Sequence, residues 1–323
     1  MNNNIKNIIF AGTPPIAAYT LERLIEHNIK ISACYTRPDR PSGRGQKLTY
    51  SAVKHSCLNY NIPIFQPENF KVPIEQQKLQ QLQPDLLIVF AYGLILPKII
   101  LELPTFGCIN IHTSLLPKWR GAAPTQHAIL AGNTITGITI IKMGLEVDSG
   151  PILYSASCSI DAADTNESLH QKLQPLAVNG VLEVLRQINV NQLTPQFQDN
   201  KLATYAKKID KSMAKINWHL SAIEIDRIIR AFIPDPIAFT NLKGQEATTI
   251  KIWQATINKE INVNNNDPGK IIVINKHGIN VSTGNGVLRL EKLQFPGGKI
   301  LHVADLLNST KYQQLFVSYV QFN

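Results

Sequence analysis

Cysteine is scarce in this sequence, and the placement of the few thiols argues against two kinds of protein. The 323 residues include four cysteines, with no Cys-x-x-Cys pair and no cysteine and histidine cluster at zinc-ligand spacing. They are Cys34, Cys57, Cys108 and Cys158. We therefore expect reduced thiols, no disulfide framework and no bound metal.

Long hydrophobic runs are missing as well. No apolar stretch of the sequence reaches the roughly 18 residues that a membrane-spanning helix needs. The first ten residues, MNNNIKNIIF, contain one early lysine and no small-residue cleavage site of the kind that follows a secretory signal. These absences predict a cytoplasmic protein without a membrane partner.

A glycine-rich phosphate loop is the third missing feature. Dinucleotide-binding folds place Gly-x-Gly-x-x-Gly directly after the first strand, so that the backbone can approach a pyrophosphate. Here a buried strand is predicted over 5–11, but the following turn reads Ala-Gly-Thr-Pro-Pro and holds one glycine, Gly12. The sequence therefore speaks against a nicotinamide or flavin dinucleotide.

The first half of the chain alternates short apolar runs with helical patterns. Strands are predicted over 5–11, 29–36, 85–91, 107–112 and 137–143, and helices over 15–27 and 164–189. This rhythm is typical of an α/β fold with a mainly parallel sheet. After residue 209, a helix is predicted over 221–232 and short strands over 246–257, 270–274, 279–283 and 287–295. Asp-Pro-Gly, His-Gly and Asn-Gly turns separate these strands, and the pattern predicts a small β-barrel. We therefore divide the chain into a domain over 1–189, a linker over 190–208 and a domain over 209–323.

Positive charge is concentrated toward the end of the chain. The net charge is +9, from 32 basic and 23 acidic residues, and residues 201–323 carry +7 of it. A basic portion of this kind suggests a polyanionic partner, with RNA or DNA first. A bias toward solubility, or a proteome rich in lysine and asparagine, explains the same composition equally well.

Three polar residues form the most chemically suggestive pattern. Asn110 and His112 stand two residues apart at the end of a predicted strand, so both side chains leave the same face. Asp148 follows the next predicted strand. An amide can stabilise an oxyanion, an imidazole can move a proton near neutral pH, and a carboxylate can orient the imidazole. The alternative from spacing alone is structural: Asn110 caps a turn, and His112 is a satisfied core histidine.

Several motifs resemble one enzyme family. Asn110-Ile-His112 followed by Ser-Leu-Leu-Pro-Lys-Trp-Arg-Gly-Ala-Ala-Pro (114–124), together with Asp-Ser-Gly-Pro (148–151), resembles the signature of folate-dependent formyltransferases. Phe-Ala-Gly-Thr-Pro (10–14), the segment 37–47, Ala-Tyr-Gly-Leu-Ile-Leu-Pro (91–97), Thr-Tyr-Ala-Lys (204–207) and Ile-Asn-Trp (216–218) are similar to the methionyl-tRNA formyltransferases within that family. One departure is Asp235, where family members usually carry tryptophan.

The resemblance implies a fold and a reaction. The fold is a Rossmann-like formyltransferase domain with a mainly parallel sheet, followed by a small OB-like barrel that binds tRNA. The reaction moves the formyl group of 10-formyltetrahydrofolate to the amino group of methionine on initiator tRNA. The implied catalytic residues are Asn110, His112 and Asp148, without a metal, in a monomer.

The resemblance also implies binding residues. Two segments would contact the folate, through Ser114, Leu115, Leu116, Pro117, Ala91, Tyr92, Gly93 and Leu96. A basic loop over 37–47, whose prolines and glycines disfavour both helix and strand, would enter the acceptor stem of tRNA. The tRNA contacts would be Arg37, Arg40, Arg44, Lys47, Lys207, Lys208 and Lys211.

Two other functions remain open at this stage, beside the hydrolysis of 10-formyltetrahydrofolate, in which water replaces the amine. One is a formyltransferase that acts on another amine, such as a nucleotide sugar or glycinamide ribonucleotide. The other is a non-catalytic RNA-binding protein built on this fold, which the presence of Asn110, His112 and Asp148 together argues against. The basic loop and the basic carboxyl-terminal portion argue against the first.

Overall fold

The computed structural model describes residues 5–42, 47–261, 267–310, 312, 316 and 321–323. Two compact units can be separated by their internal contacts. The first unit comprises 1–124, 135–159 and 170–207, and the second comprises 125–134, 160–169 and 208–323. Two short segments from the first half of the chain thus cluster with the second unit. The predicted functional domains over 1–189 and 209–323 stay a prediction.

Helices and strands alternate along the first half of the chain. They are β1 (Ile8–Gly12), α1 (Pro15–Glu26), β2 (Ile31–Tyr35), β3 (Arg40–Ser42), β4 (Lys47–Thr49), α2 (Ala52–Asn59), β5 (Ile64–Phe65), α3 (Pro73–Gln81), β6 (Leu86–Phe90), α4 (Lys98–Leu101), β7 (Cys108–His112), β8 (Arg120–Gly121), α5 (Pro124–Leu130), β9 (Ile135–Lys142), β10 (Ile152–Ser159) and α6 (Asn166–Asn189).

A seven-stranded sheet organises the first unit. Its order is β10-β9-β7-β6-β1-β2-β5. Neighbouring strands from β7 to β5 run parallel, whereas β9 pairs antiparallel with both β7 and β10. The two central strands, β1 and β6, are buried at every position, as apolar strands covered on both faces should be. The predicted α/β fold with a mainly parallel sheet is confirmed.

Close packing explains the single glycine at the end of β1, Gly12. A Cβ atom at Gly12 would stand 2.8 Å from the Cβ of Ala17 and 3.0 Å from the carbonyl oxygen of Phe90. Any larger residue would therefore push α1 away from the sheet. Gly12 therefore serves the close packing of α1 on β1.

The basic loop over 37–47 differs from its prediction. Arg40–Ser42 pairs antiparallel with Lys47–Thr49, with Arg40 opposite Thr49. The expectation that proline and glycine would exclude strands here was therefore wrong. Pro41 is tolerated because a two-stranded ribbon has free edges, where the missing N–H of proline leaves no gap in a ladder.

The second unit is built around an antiparallel sheet. After β11 (Tyr205–Ala206) it contains α7 (Ala222–Ala231), β12 (Phe239–Leu242), β13 (Gln245–Asn258), β14 (Ile271–Asn275), β15 (Gly278–Ser282), β16 (Val287–Gln294), β17 (Ile300–His302) and α8 (Val303–Leu306). The sheet order is β12-β13-β16-β15-β14, with β17 beside β16. The sheet curls into a half-barrel, and Gln321 and Phe322 form bridges to Lys270 and Leu242 near its two outer strands. The predicted barrel-like second domain is confirmed in this form.

The helix of the second unit begins as its sequence indicates. The hydroxyl of Ser221 accepts a hydrogen bond from the amide of Glu224, and the Glu224 carboxylate accepts one from the Ser221 amide. This capping box satisfies amide groups that the first helical turn leaves without partners. The helix then buries Ile225 and Ile229 against the sheet.

A partly buried histidine in α6, His170, links the stability of the fold to pH. Burial lowers the pKa of His170 from 6.5 to about 4. Between these two pKa values His170 binds a proton in the unfolded chain but stays neutral in the folded chain. The free energy of unfolding therefore has its full value above about pH 6.5 and falls as the pH drops toward 4. At pH 5 the expected loss is up to about 2 kcal/mol.

Urea unfolding at about pH 7 and about pH 5 checks this expectation. The free energy of unfolding should fall less between the two pH values in a His170→Gln variant than in the parent chain. Other titrating groups contribute equally to both proteins and cancel in the comparison. An equal fall in the two proteins would contradict the role of His170.

Candidate active site

Strand β7 presents two polar side chains at its carboxyl end. Asn110 and His112 alternate along the strand with buried Ile109 and Ile111, so both point away from those apolar residues. Val89, near the end of β6, pairs with Asn110. The ends of two neighbouring parallel strands therefore meet at this edge, where open α/β sheets commonly bind ligands.

Asp148 reaches the same edge from the loop after β9. Its φ of +53° lies in the left-handed region, which aspartate and asparagine tolerate better than most residues. Two residues later, a Cβ atom at Gly150 would stand 1.8 Å from the carbonyl oxygen of Lys142. Only glycine allows the chain to return so closely to β9, and this return directs the carboxylate toward β7.

The three side chains form one buried polar cluster. The Asn110 amide Nδ2 donates to Asp148 Oδ1 at 3.1 Å, and the Gly121 backbone N–H donates to Asp148 Oδ2 at 2.9 Å. His112 Nδ1 lies 3.4 Å from Asp148 Oδ2. The side chains of His112 and Asp148 are only 6% and 10% exposed. The cluster brings together the three residues that the sequence predicted to converge.

The second ring nitrogen of His112 is also occupied. His112 Nε2 lies 2.8 Å from the carbonyl oxygen of Trp119, which can only accept a hydrogen bond. The ring therefore faces an oxygen atom at each nitrogen. The Asn110 amide has two N–H groups, of which the described residues use one. Asn110 can therefore donate to a substrate oxygen without breaking its bond to Asp148.

Two members of the cluster are main-chain groups that the sequence analysis did not find. The Gly121 N–H and the Trp119 carbonyl belong to the segment around β8, which pairs in parallel with β11. Gly121 has a φ of +121°, and a Cβ atom there would stand 2.5 Å from the carbonyl oxygen of Ala206. Backbone donors carry no side-chain signal, so only this glycine and its neighbours mark the position in the sequence.

The candidate folate residues fall into two segments. Ala91 and Gly93 are exposed at the end of β6 and have φ values of +48° and +83°. Tyr92 and Leu96 are buried and hold this loop on the core. The Thr13 hydroxyl donates to the Tyr92 carbonyl at 2.9 Å, which ties the loop to the end of β1. Exposed residues therefore stand at the end of β6, the strand that pairs with β7 and its Asn110.

The other segment follows His112 directly. The Ser114 hydroxyl is buried and donates to the Lys118 carbonyl at 2.6 Å, so it stabilises the turn. Leu116 is buried, and its N–H donates to the Thr139 hydroxyl at 3.0 Å. Leu115 and Pro117 are partly exposed. Of the four predicted folate residues in this segment, these two have exposed surface.

The basic residues differ in their surroundings. The Arg37 side chain packs against Gly93, 3.3 Å from the position of a Cβ there, whereas Arg40 is exposed. Asp39, the one acid between 37 and 47, pairs with Lys54 at 2.5 Å. Arg44 lies outside the described residues, and Lys47 is described through its backbone alone. Further along the chain, Lys207, Lys208 and Lys211 are exposed.

The described residues form neither a metal-binding group nor a membrane-spanning helix. Among the described residues, no three or more histidine, cysteine, aspartate or glutamate side chains are grouped so that they could hold a metal ion. In the same part of the chain, no helix is both long and apolar enough to cross a membrane.

Comparisons with known proteins assign the chain to a family. Residues 5–185 match the family model "Formyl transferase", and residues 208–311 match "Formyl transferase, C-terminal domain". The methionyl-tRNA formyltransferase of Legionella pneumophila strain Philadelphia 1 is 48% identical over 307 residues, which are 95% of this chain and 96% of the relative. That of Stutzerimonas stutzeri is 45% identical over 306 residues, 95% of each chain. The chain belongs to the methionyl-tRNA formyltransferase family. The family membership predicted from the sequence motifs is confirmed.

Solved structures with lower identity share the fold. HypX from Aquifex aeolicus, in complex with tetrahydrofolic acid, matches 96% of this chain with a TM-score of 0.66 and 15% identity, and this chain spans 48% of HypX. The sugar 3N-formyl transferase WlaRD, in the presence of dTDP and 5-N-formyl-THF, matches 92% of this chain and 100% of its own, with a TM-score of 0.62 and 19% identity.

Proposed function

We propose that this chain transfers the formyl group of 10-formyltetrahydrofolate to the α-amino group of methionine on charged initiator tRNA. The observation that carries the proposal is the buried cluster of Asn110, His112 and Asp148 in a chain of this family. We also propose that the enzyme is a monomer that acts in the cytoplasm, where translation begins.

The reaction forms one carbon–nitrogen bond and breaks another. The amino group of the methionyl ester attacks the formyl carbon, and the carbonyl oxygen becomes an oxyanion in a tetrahedral intermediate. The bond from that carbon to the folate nitrogen then breaks. The attacking nitrogen must lose a proton and the departing nitrogen must gain one, so the site needs an oxyanion donor and a proton carrier.

The cluster supplies both groups. The second N–H of Asn110 is available to donate to the oxyanion, and one such well-placed donor is worth about 3 kcal/mol. His112 is the proton carrier in this proposal, and Asp148 holds its ring and balances its charge. Because His112 Nε2 donates to the Trp119 carbonyl, a proton leaving from that nitrogen requires this bond to open.

The folate and the tRNA would occupy different surfaces. We propose that the folate lies against Ala91, Gly93, Leu115 and Pro117, with Tyr92, Leu96, Ser114 and Leu116 supporting those segments from below. Because Arg37 packs against Gly93, it belongs with the folate loop as much as with the basic loop. Arg40, Arg44, Lys47, Lys207, Lys208 and Lys211 are the proposed tRNA contacts.

A formylation assay with matched amine acceptors tests this function. The chain should formylate charged initiator tRNA in the presence of 10-formyltetrahydrofolate, and should leave charged elongator tRNA largely unmodified. Uncharged initiator tRNA controls for the need for an amino group. A nucleotide-linked amino sugar, tested in the same buffer, represents the other family reaction. Preferential formylation of the sugar would overturn the proposal.

A further inference from the structure

The side-chain amide of Gln198 connects the Asp148 loop to a buried arginine. Gln198 Nε2 donates to the carbonyl oxygens of Asp148 at 2.9 Å and Gly150 at 2.7 Å. Gln198 Oε1 accepts from Arg120 Nε at 3.1 Å and Arg120 Nη2 at 2.8 Å. These four bonds use both donors and both acceptor positions of the amide, so its orientation is fixed.

Arg120 gives this amide a firm support. The residue is only 4% exposed, and its Nη2 also donates to Asn200 Oδ1 at 2.8 Å. Among the described residues it forms no ion pair with a carboxylate, so its buried charge is balanced by the two amide oxygens of Gln198 and Asn200. A charged donor makes these bonds stronger than neutral ones, and it polarises the Gln198 amide toward donation on its other side.

Among the described residues, few other groups support the Asp148 loop on the side away from its carboxylate. Glu146 and Val147 are exposed, and a Cβ atom at Gly144 would meet nothing within 4 Å. Asp148 itself is in the left-handed region, which costs on the order of 1 kcal/mol for a residue with a side chain. A loop with this backbone needs an anchor, and Gln198 holds the carbonyl of the very residue whose carboxylate faces His112.

We infer that Gln198 is a positioning residue for catalysis: it holds the Asp148 main chain so that the carboxylate stays between Asn110, Gly121 and His112. The inference rests on the proposed function, because that function gives Asp148 its role. The segment 190–208 is then more than a linker between two domains. Its residues 198–206 form hydrogen bonds with the loops around Trp119 and Asp148.

Two substitutions at Gln198 separate positioning from packing. Gln198→Ala removes all four bonds. Gln198→Glu keeps an acceptor for Arg120 but replaces the two donors with an oxygen that repels the carbonyls of Asp148 and Gly150. Both variants should lower kcat by about 10–100-fold, because a displacement of about 1 Å at a reacting centre has an effect of this size. The KM for the folate donor should stay within about twofold of the parent value.

Asn200→Ala is the matched control. It removes a bond to the same nitrogen of Arg120 without touching the Asp148 loop, so kcat should stay within about threefold of the parent value. A fall in kcat in Asn200→Ala equal to that in Gln198→Ala would overturn the inference, because general damage around Arg120 would then explain both.

A double-mutant cycle identifies the route of the effect. If Gln198 acts through Asp148, adding Gln198→Ala to an Asp148→Asn enzyme should lower kcat by less than about twofold more. Full additivity of the two changes would contradict the inference.

Amide hydrogen exchange gives a readout that does not depend on activity. The Gly121 N–H donates to the Asp148 carboxylate, so its exchange should be about tenfold faster in Gln198→Ala and unchanged in Asn200→Ala. A parent chain that formylates no Met-tRNA would refute the proposed function, while Gly121 exchange would still decide whether Gln198 positions Asp148. Unchanged Gly121 exchange in Gln198→Ala would refute the positioning.

Discussion

Replacing Asp148 with asparagine should lower kcat for formylation by about 10²–10⁴-fold while the protein stays folded. The carboxylate accepts from Asn110 and from the Gly121 N–H, and it faces His112 Nδ1. An asparagine side chain offers one oxygen and one NH₂ group, so at least one of these donors would meet another donor. The substitution also removes the negative charge that balances a protonated His112.

The backbone should accept this substitution without strain. Asparagine tolerates the left-handed conformation that Asp148 adopts, so the loop should keep its course. The main-chain carbonyl that Gln198 holds is unchanged. Folate binding and the midpoint of thermal unfolding should therefore be close to those of the parent chain. His112→Ala should lower kcat over the same range for the complementary reason.

Glu146→Gln is the matched control for charge. Glu146 is exposed in the same loop, two residues from Asp148, and its substitution removes the same unit of negative charge. Single-turnover formylation at saturating folate donor should find this variant within about threefold of the parent rate. Turnover near the parent level in Asp148→Asn, or an equal loss in Glu146→Gln, would refute the assignment of Asp148.

The sequence predicted the side chains of this site better than its main-chain groups. Asn110 and His112 could be placed on one face because strand periodicity is fixed, and Asp148 followed the neighbouring strand. The Gly121 N–H and the Trp119 carbonyl left no comparable mark, because every residue other than proline carries the same backbone donor. Gln198 lies in a polar, weakly periodic segment, and its role depends on hydrogen bonds to Arg120, Asp148 and Gly150, which are 48 to 78 residues away along the chain.

Strands β3, β4 and β10 are among those that the sequence did not predict. Strand β10 was missed because Tyr154 and Ile152 are followed by serine, alanine and cysteine, whose small side chains give little alternation to read. The ribbon of β3 and β4 was missed because Pro41 was judged by its effect inside a sheet. In the second unit, β13, β14, β15 and β16 were predicted well, because Asp-Pro-Gly, His-Gly and Asn-Gly turns mark their ends.

Binding of charged initiator tRNA should weaken steeply with salt, and three lysines should carry a measurable part of that dependence. A protein that neutralises about six phosphates has a log–log slope near −5 against salt concentration. Lys207, Lys208 and Lys211 are exposed and follow the segment that carries Gln198. They also lie near the start of the basic portion of the chain, residues 201–323. The net charge of +7 over this portion suits a surface that binds the phosphate backbone of RNA.

Replacing these three lysines with alanine should therefore reduce the slope by about 2–3 units, roughly one for each lost phosphate contact. A matched control replaces Lys30, Lys78 and Lys98, which are exposed in the first unit. Lys78 pairs with Glu75 within α3, and Lys98 pairs with Glu102 just after α4; such surface pairs contribute little to stability. Both triple variants lower the net charge of the chain from +9 to +6. Any difference between them therefore comes from position.

Fluorescence anisotropy with labelled, charged initiator tRNA, titrated at several salt concentrations, measures both affinity and slope. The control variant should keep a slope within about one unit of the parent value, whereas the variant at 207, 208 and 211 should bind much more weakly at low salt and respond less to added salt. A phosphate contact does not depend on the nucleotide sequence of the RNA. The affinity for elongator tRNA should therefore fall by a similar factor. Equal slopes in the two triple variants would mean that overall charge, and not these lysines, attracts the RNA.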